Sequence, residues 1–375
     1  MSNEIADDET TTGETAMEDE GFEITYRVGL ALGAVGAFLV VVFAGLAFPN
    51  TIAGDLLGIV LREDTLASAL RLAVPISFAA LGGIFAEKAG VINIGLEGLL
   101  IISAFTAVAV TSIMGPAGAT AGLPNIWVGF TAGVVASTLL SLLFAVVCIE
   151  FRADQIIAGL AVWLIALGLA PFAATVYYGG VNSDSLPRTP DTFAIPVLAD
   201  IPVLGAFFNA TIPVYLMLLA VPTAWFVLNH TSFGWWVRAS GENPRALDTV
   251  GVNVSRVRYA AVVLSGFLSG IGGSALSLGA GQFVGNGQTM VNGKGFIAIV
   301  AYLFGNYNPI GAFGASFLFA GLEAVQIRLQ QVQGYAIPDS LIQTIPYVTV
   351  IIILALVGRT RIPSAAGDHY ESGED

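Results

Sequence analysis

The chain has 375 residues, of which 55% are hydrophobic and only 11% are Asp, Glu, Lys or Arg, with a mean hydropathy of +0.80. A soluble protein carries about a quarter of its residues as charges, so a soluble globular fold is excluded, and apolar runs that are unbroken rather than alternating exclude a β-barrel. The formal net charge of −13 is concentrated at the two ends, and the few, scattered basic residues give no footing for nucleic acid.

Residues 1–25 open with MSNEIADDETTTGETAMEDEGFE, rich in acids and without a base; residues 359–375 end on GDHYESGED. Both are expected as solvated, disordered cytoplasmic tails. A high-salt-adapted surface and an acidic docking tail are both open readings. No positive stretch precedes the first apolar run, so that run is expected as a retained span rather than a secretory leader. Between the tails, residues 26–358 are expected as an all-α polytopic transmembrane bundle of about ten segments, at 29–48, 72–86, 97–114, 128–150, 156–177, 209–229, 258–280, 291–305, 309–328 and 340–357. The second and eighth are short for a crossing and are expected either to extend into neighbouring residues or to be broken helices. Pro75, Pro222 and Pro346 fall within spans, where neighbouring helices can re-satisfy the backbone. The single cysteine, Cys148, reads as a small buried hydrophobe.

Lys and Arg set orientation. With the N-terminus inside, Arg27, Lys88, Arg152, Arg238, Arg245, Arg256, Arg258, Arg359 and Arg361 fall on the cytoplasmic side, against Arg62, Arg71, Arg188, Lys294 and Arg328 outside. Both termini are therefore expected in the cytoplasm of a multi-pass plasma-membrane protein. The Pro-, Gly- and Ser-rich stretch 178–208 is expected as an outer connector built of turns.

Three patterns stand out along the chain. EKAGVINIGLEG, residues 87–98, sets two glutamates and a lysine beside apolar runs, where charge is costly. On the cytoplasmic side Glu87 and Lys88 are expected to stay hydrated, Gly90 and Gly95 to break up the turn, and Asn93 to cap or form an Asx turn. Glu97 is expected to favour the dipole at the start of the next helix. Ordering a tight or re-entrant connection and taking a direct part in gating are both open roles. In HTSFGWWVRASGENPRALDTVGVNVSRVR, residues 230–258, Trp235 and Trp236 suit the interface. Asn243 and Pro244 form a cap and first turn for a short helix, Arg245–Val250, that Gly251 can end. Such a helix suits contact with a separate motor protein; an ordinary interfacial helix is the plainer reading. In 258–280, Gly266, Gly270 and Gly273 share one face, and Gly311, Gly314 and Gly321 do something similar, as close helix packing requires. The same faces also suit the lining of a moving path.

The loop GWWVRASGENPRALDTVGVNVSRVR resembles the coupling region of ABC-importer permeases. From about residue 67 to 357 the chain resembles the branch covering sugar, nucleoside and branched-chain amino acid permeases. EKAGVINIGLEG is similar to the signature of permeases that work with basic-membrane-lipoprotein-type binding proteins, and VNGKGFIAIVAYLFGNYNPIGAFGASFLFAGLEAVQ, residues 291–326, is a third match. Acidic ends of this kind are expected in haloarchaeal members. The resemblance implies a type II ABC-importer permease-like fold that imports nucleosides or simple sugars. The implied partners are a second permease subunit, often a different one that would make a heterodimer, two cytoplasmic ABC ATPase subunits holding ATP and Mg, and an extracytoplasmic solute-binding lipoprotein. Glu242, Asn243, Pro244, Arg245, Ala246 and Asp248 carry over as coupling positions. Glu87, Lys88, Gly90, Asn93, Gly95, Glu97 and Gly98 carry over as the signature.

The sequence contains no GxxxxGK[ST], HExxH or GxSxG, and its only histidines, His230 and His369, lie far apart. This chain is therefore expected to bind no cofactor or metal itself and not to be an enzyme. Trp163, Asn286, Gln288, Asn292, Tyr302, Asn306 and Gln326 are candidates to line a path for a small polar solute, since aromatic faces with amides suit a base and a sugar alike. A passive facilitator or channel is the alternative, and it leaves the capped loop without a job.

Overall fold

The computed structural model describes residues 52–201, 204–331, 344 and 361–371. The expected spans 29–48 and 340–357 and the tail 1–25 lie outside the described residues. The chain divides into two compact units, one of residues 1–62 with 335–358 and one of residues 63–334 with 359–375. In the first, helix α1 (Ile52–Val60) is described.

The second unit is a helical bundle. In chain order it holds α2 (Glu63–Lys88), α3 (Leu96–Met114), α4 (Asn125–Ile149), α5 (Gln155–Tyr178) and α6 (Ile212–His230). Two short helices, α7 (Ser232–Glu242) and α8 (Pro244–Thr249), then lead to α9 (Val254–Ala280), a half-length α10 (Lys294–Phe304) and α11 (Pro309–Gln331). Among the described residues seven helices, α2 to α6, α9 and α11, are long and apolar enough to cross a membrane. The expected segment 72–86 is the inner part of the 26-residue α2. The expected segment 291–305 contains only the 11 residues of α10, roughly 16 Å at 1.5 Å per residue, about half of the hydrocarbon thickness. A hairpin of β1 (Ala119–Thr120) and β2 (Leu123–Pro124) joins α3 to α4. The described part of 178–208 carries no helix long enough to cross; its strand β3 (Thr192–Ala194) pairs with β4 (Asn209–Thr211).

Helix α2 is central, packed by α9, α10 and α11, while α9 also packs on α3 and α4. Lipid supplies no hydrophobic force between helices, so close backbone approach through small residues has to do that work. A Cβ on Gly270 of α9 would lie 2.8 Å from the Val134 Cα of α4, and one on Gly273 would lie 2.3 Å from the Leu100 carbonyl oxygen of α3. Ser137 adds a hydrogen bond from its hydroxyl to the Gly266 carbonyl at 2.8 Å. On α11, Gly311 meets Gly305, whereas among the described residues nothing lies within 4 Å of a Cβ on Gly314 or Gly321.

Residues 361–371, expected as a solvated tail, lie against the bundle. The Ala365 amide donates to the Gly241 carbonyl at 2.8 Å, and the Gly367 amide to that of Gly90 at 3.1 Å. Arg258, only 4% exposed, donates from Nη1 to the Asp368 carbonyl at 2.6 Å. Eleven residues of mixed polarity find enough backbone partners here to be held in place.

Candidate functional site

The signature stretch folds as a tight, buried connection between α2 and α3. After α2 ends at Lys88 the chain turns at Gly90, whose φ of +93° is in the region that favours glycine. It then runs back into the bundle before α3 begins. The Ile92 amide donates to Gln155 Oε1 at 2.7 Å, and Asn93 Nδ2 donates to Ser265 Oγ at 3.0 Å. Asn93 Oδ1 accepts from the Gly95 amide at 3.1 Å, the Asx turn expected of it. A Cβ on Gly98 would sit 2.8 Å from the Val162 carbonyl oxygen, so α3 and α5 cross with almost no space between them.

Glu97 lies in the first turn of α3, but its carboxylate serves a different helix. Oε1 accepts from the Gly293 amide at 2.7 Å and Oε2 from the Gly295 amide at 2.6 Å. The glutamate, 1% exposed, thus caps α10, where the backbone has just come out of the irregular stretch 281–293. The chain there needs left-handed conformations at Thr289, Asn292 and Gly293. A helix that begins inside the bundle leaves its first N–H groups without intrahelical partners, and a carboxylate at its positive end satisfies them and the dipole together. Lys294, 4% exposed, pairs with Glu323 of α11 at 2.8 Å. Its charge is thus neutralised inside the bundle.

Glu87 is also enclosed, which corrects its expected hydration. It is 7% exposed, and its carboxylate accepts from the Tyr302 hydroxyl and, at 2.7 Å, from that of Tyr307. The reason is tertiary: the chain leaving α10 closes over the end of α2, with Asn306 (φ 51°) and Tyr307 (φ 57°) both left-handed. Burial, and then the Glu87 carboxylate, hold the Tyr307 phenol above its ordinary range, so it stays a proton donor. Lys88 is half-buried, with Nζ 5.8 Å from the centre of the Tyr307 ring.

At this same end, α7 and α8 form an elbow. Asn243 Oδ1 accepts from the Ala246 amide at 3.1 Å, Pro244 takes the first helical position, and Gly251 leaves the helix at φ +81°. Leu247, 4% exposed, pins α8 to the bundle while Val250 is 73% exposed; Glu242, Asn243, Arg245 and Ala246 face outward and Asp248 is half-buried. The elbow is tied directly to the signature stretch. The Ser240 hydroxyl donates to the Ala89 carbonyl at 2.8 Å, and Gly241 packs on the Lys88 carbonyl.

The candidate path residues do not form one cluster. Asn286, Gln288 and Asn292 are exposed together in the break before α10. Trp163 on α5 is half-buried, edge-on to Phe296 at 5.2 Å between ring centres, and Gln326 is half-buried on α11. Tyr302 is corrected: it is fully enclosed and committed to Glu87, so it does not line a path in this chain. Asn306 is exposed near the elbow, where its Oδ1 accepts from the Arg361 amide at 3.0 Å. Missing from the expected set were Glu323, Tyr307 and Ser265, each joined to the signature stretch or to α10 only through tertiary contacts. Glu323, a charge inside an apolar run, carried a usable signal.

Seven described helices long and apolar enough to cross, with a half-helix whose start is buried among them, are the build of a multi-pass membrane protein. Residues 65–357 match the family described as branched-chain amino acid transport system / permease component, and the chain belongs to that family. It is 38% identical over 308 residues to the guanosine ABC transporter permease protein NupQ of Bacillus subtilis, covering 80% of this chain and 94% of that one. It is 36% identical over 314 residues to the nucleoside ABC transporter permease protein NupC of Lactococcus lactis, covering 81% and 95%. It is 31% identical over 333 residues to the putative glucose ABC transporter permease protein TsgC13 of Haloferax volcanii, covering 82% and 97%. No solved structure matches the chain. The protein is an ABC-importer permease and not itself the catalytic subunit. Among the described residues no group of His, Cys, Asp or Glu could hold a metal ion.

Proposed function

We propose that this chain is the transmembrane subunit of an ATP-driven importer of nucleosides, with simple sugars as the neighbouring substrate class. Solute arrives from an extracytoplasmic binding lipoprotein, and two ABC ATPase subunits holding ATP and Mg work from the cytoplasm. The two relatives named for guanosine and nucleoside support the first class, and the relative named for glucose supports the second. A second permease subunit, as a heterodimer, completes the path; the outward apolar side chains of α5, such as Ile157, Leu164 and Phe172, offer a face that such a subunit or lipid would cover. The α7–α8 end is cytoplasmic, with both termini. The acidic ends suit a haloarchaeal, high-salt setting.

One observation carries the mechanism: the α8 elbow is bonded to the signature stretch, and the signature stretch holds the start of the broken helix. Movement imposed on α8 by an ATPase passes through Ser240 and Gly241 to residues 88–90. Through Glu97 it reaches Gly293 and Gly295 at the break. The polar stretch with Asn286, Gln288 and Asn292 is where a base or sugar would meet amides. Pro244→Gly loosens the start of α8, and Arg245→Glu reverses a charge facing the motor, where reversal creates repulsion. In liposomes containing the complete transporter, both variants are expected to fold and assemble but to lose uptake or binding-protein-stimulated ATP hydrolysis. Wild-type values of both in both variants would remove α8 from the coupling role. Topology is checked separately in a Cys148→Ser background, where an impermeant thiol reagent should label the exposed Ser185→Cys and spare the likewise exposed Thr249→Cys in intact cells.

A further inference from the structure

The elbow end of the bundle contains a polar cavity of about 150 Å3 between the ends of α2 and α6, helix α7 and the turn into α11; Lys88, Asn229, Arg238, Asn306, Tyr307 and Asn308 line it. On the order of five waters would fill that volume. It is well below the roughly 300–1,000 Å3 that encloses drug-sized ligands, so it suits a small ion or headgroup, not the transported solute.

Its charge is incompletely answered from within. Arg238 acts on Lys88 as a neighbouring like charge. The Arg238 Nε is buried without a hydrogen-bond partner, and Lys88 Nζ makes its contact with the face of Tyr307 rather than with a carboxylate. The two nearby acids among the described residues are engaged elsewhere. Glu87 is held by Tyr302 and Tyr307. Glu242 Oε2 accepts from the amide and hydroxyl of Ser364 and offsets Lys88 only at longer range. Buried donors left without partners are costly, and two cations side by side repel. The remaining wall adds to the positive potential. Asn308 caps α11 by accepting the Ile310 amide at 2.9 Å, so the positive end of a 23-residue helix faces this turn. Asn306 uses its oxygen on Arg361, which leaves its NH2 group to donate. At the rim, the Trp235 indole donates to the Asn229 carbonyl at 3.2 Å and Trp235 is otherwise 61% exposed, as befits an aromatic at headgroup depth.

We propose that this cavity binds a phosphate group, carried either by an anionic phospholipid headgroup or by free phosphate. An arginine fork, an ammonium and a helix start are the donor set that phosphate oxygens take, and basic pockets between membrane helices receive lipid headgroups. The site is independent of which solute is transported.

The full chain, purified in dodecyl maltoside, would be titrated in two arms. One uses phosphatidylglycerol against phosphatidylcholine, read by native mass spectrometry; the other uses inorganic phosphate against chloride at equal ionic strength, read by thermal shift. Saturable binding is expected in at least one arm, weakened tenfold or more by Arg238→Gln and unaffected by Arg256→Gln, which removes an exposed charge elsewhere. Response in the lipid arm alone assigns a headgroup; response in both, with mutual competition, assigns the shared phosphate chemistry. A second measurement needs no variant. The chain has two lysines, Lys88 and Lys294, and reductive methylation of Lys88 should slow at least fivefold with bound phosphate or lipid, while the buried, ion-paired Lys294 serves as the internal reference. Absence of saturable binding in both arms, equal binding by Arg238→Gln, or unchanged Lys88 methylation would overturn the assignment.

Discussion

Helices α8 and α10 are both too short to cross a membrane, and both depend on what satisfies their first turn. At α8 the cap is Asn243, three residues before the amide it accepts from. At α10 it is Glu97, which lies 196 and 198 residues before the two amides it holds. The first cap is exposed and local, the second buried and tertiary. That difference predicts how each helix responds to change: α8 can loosen without disturbing the bundle, whereas α10 cannot lose its cap without leaving buried donors unpaired. In the proposed coupling, a surface element that moves and a buried break that must be held are two ends of one linkage.

The sharpest way to break the comparison is Glu97→Ala. It orphans the Gly293 and Gly295 amides deep in the bundle, and buried donors to a charged acceptor are worth roughly 1.5–3 kcal/mol each. Destabilisation on the order of 3 kcal/mol or more is expected, read as a lower thermal midpoint in detergent, together with loss of uptake. Glu97→Gln keeps one acceptor oxygen and should fall between the two. A wild-type midpoint for Glu97→Ala would show that the break does not depend on its carboxylate.

Tyr302→Phe comes next. It removes one of two hydroxyl donors from the enclosed Glu87 while leaving Tyr307 in place, and the ring still packs against Gly83. A loss of about 1–2 kcal/mol is expected, and Glu87→Gln in the same background should recover part of it by removing the poorly paired charge. If the double variant is less stable than the single one, Glu87 is not held as an anion by these phenols.

The local side of the comparison is tested by Asn243→Ala. A lost N-cap costs about 1 kcal/mol, and α8 is anchored mainly by Leu247, so global stability should barely change. Uptake should fall more than the midpoint does. A bundle that unfolds with this variant would mean that α8 is part of the core rather than a surface lever.

The same contrast explains what could be read from the sequence. Asn243-Pro244 with Gly251, the Asx turn at Asn93 and the glycine face of α9 are local patterns whose physics is complete within a few residues, and the structure contains each of them. The enclosure of Glu87, the true partner of Glu97 and the burial of Lys294 were not legible, because each depends on a segment some 29 to 220 residues away. The eighth segment carried its own warning: it is short, and the Gly293-Lys294-Gly295 run places a charge between two helix breakers inside an apolar stretch. The tail departs from its expected solvated state for a related reason. Composition marks 359–375 as too polar to pack, yet residues 361–371 are held mainly by hydrogen bonds, with only Pro363 and Ala365 buried.

That tail gives the smallest expected effect. The Ser364 hydroxyl donates to the Glu242 carbonyl at 2.6 Å, at the hinge between α7 and α8. The contact is exposed, so Ser364→Ala should cost only about 0.5–1 kcal/mol, and the midpoint should hardly move. Its consequence should be local. Freed of this bond, the α7–α8 hinge keeps the Ala365–Gly241 backbone bond and the Ser240–Ala89 bond, so amide exchange should rise at Glu242 to Ala246 and stay unchanged at Ala89 to Asn93. Exchange that rises equally in both stretches would mean that the elbow and the signature move as one body, and the division between a movable surface helix and a firmly held break would have to be drawn deeper in the bundle, at Glu97 itself.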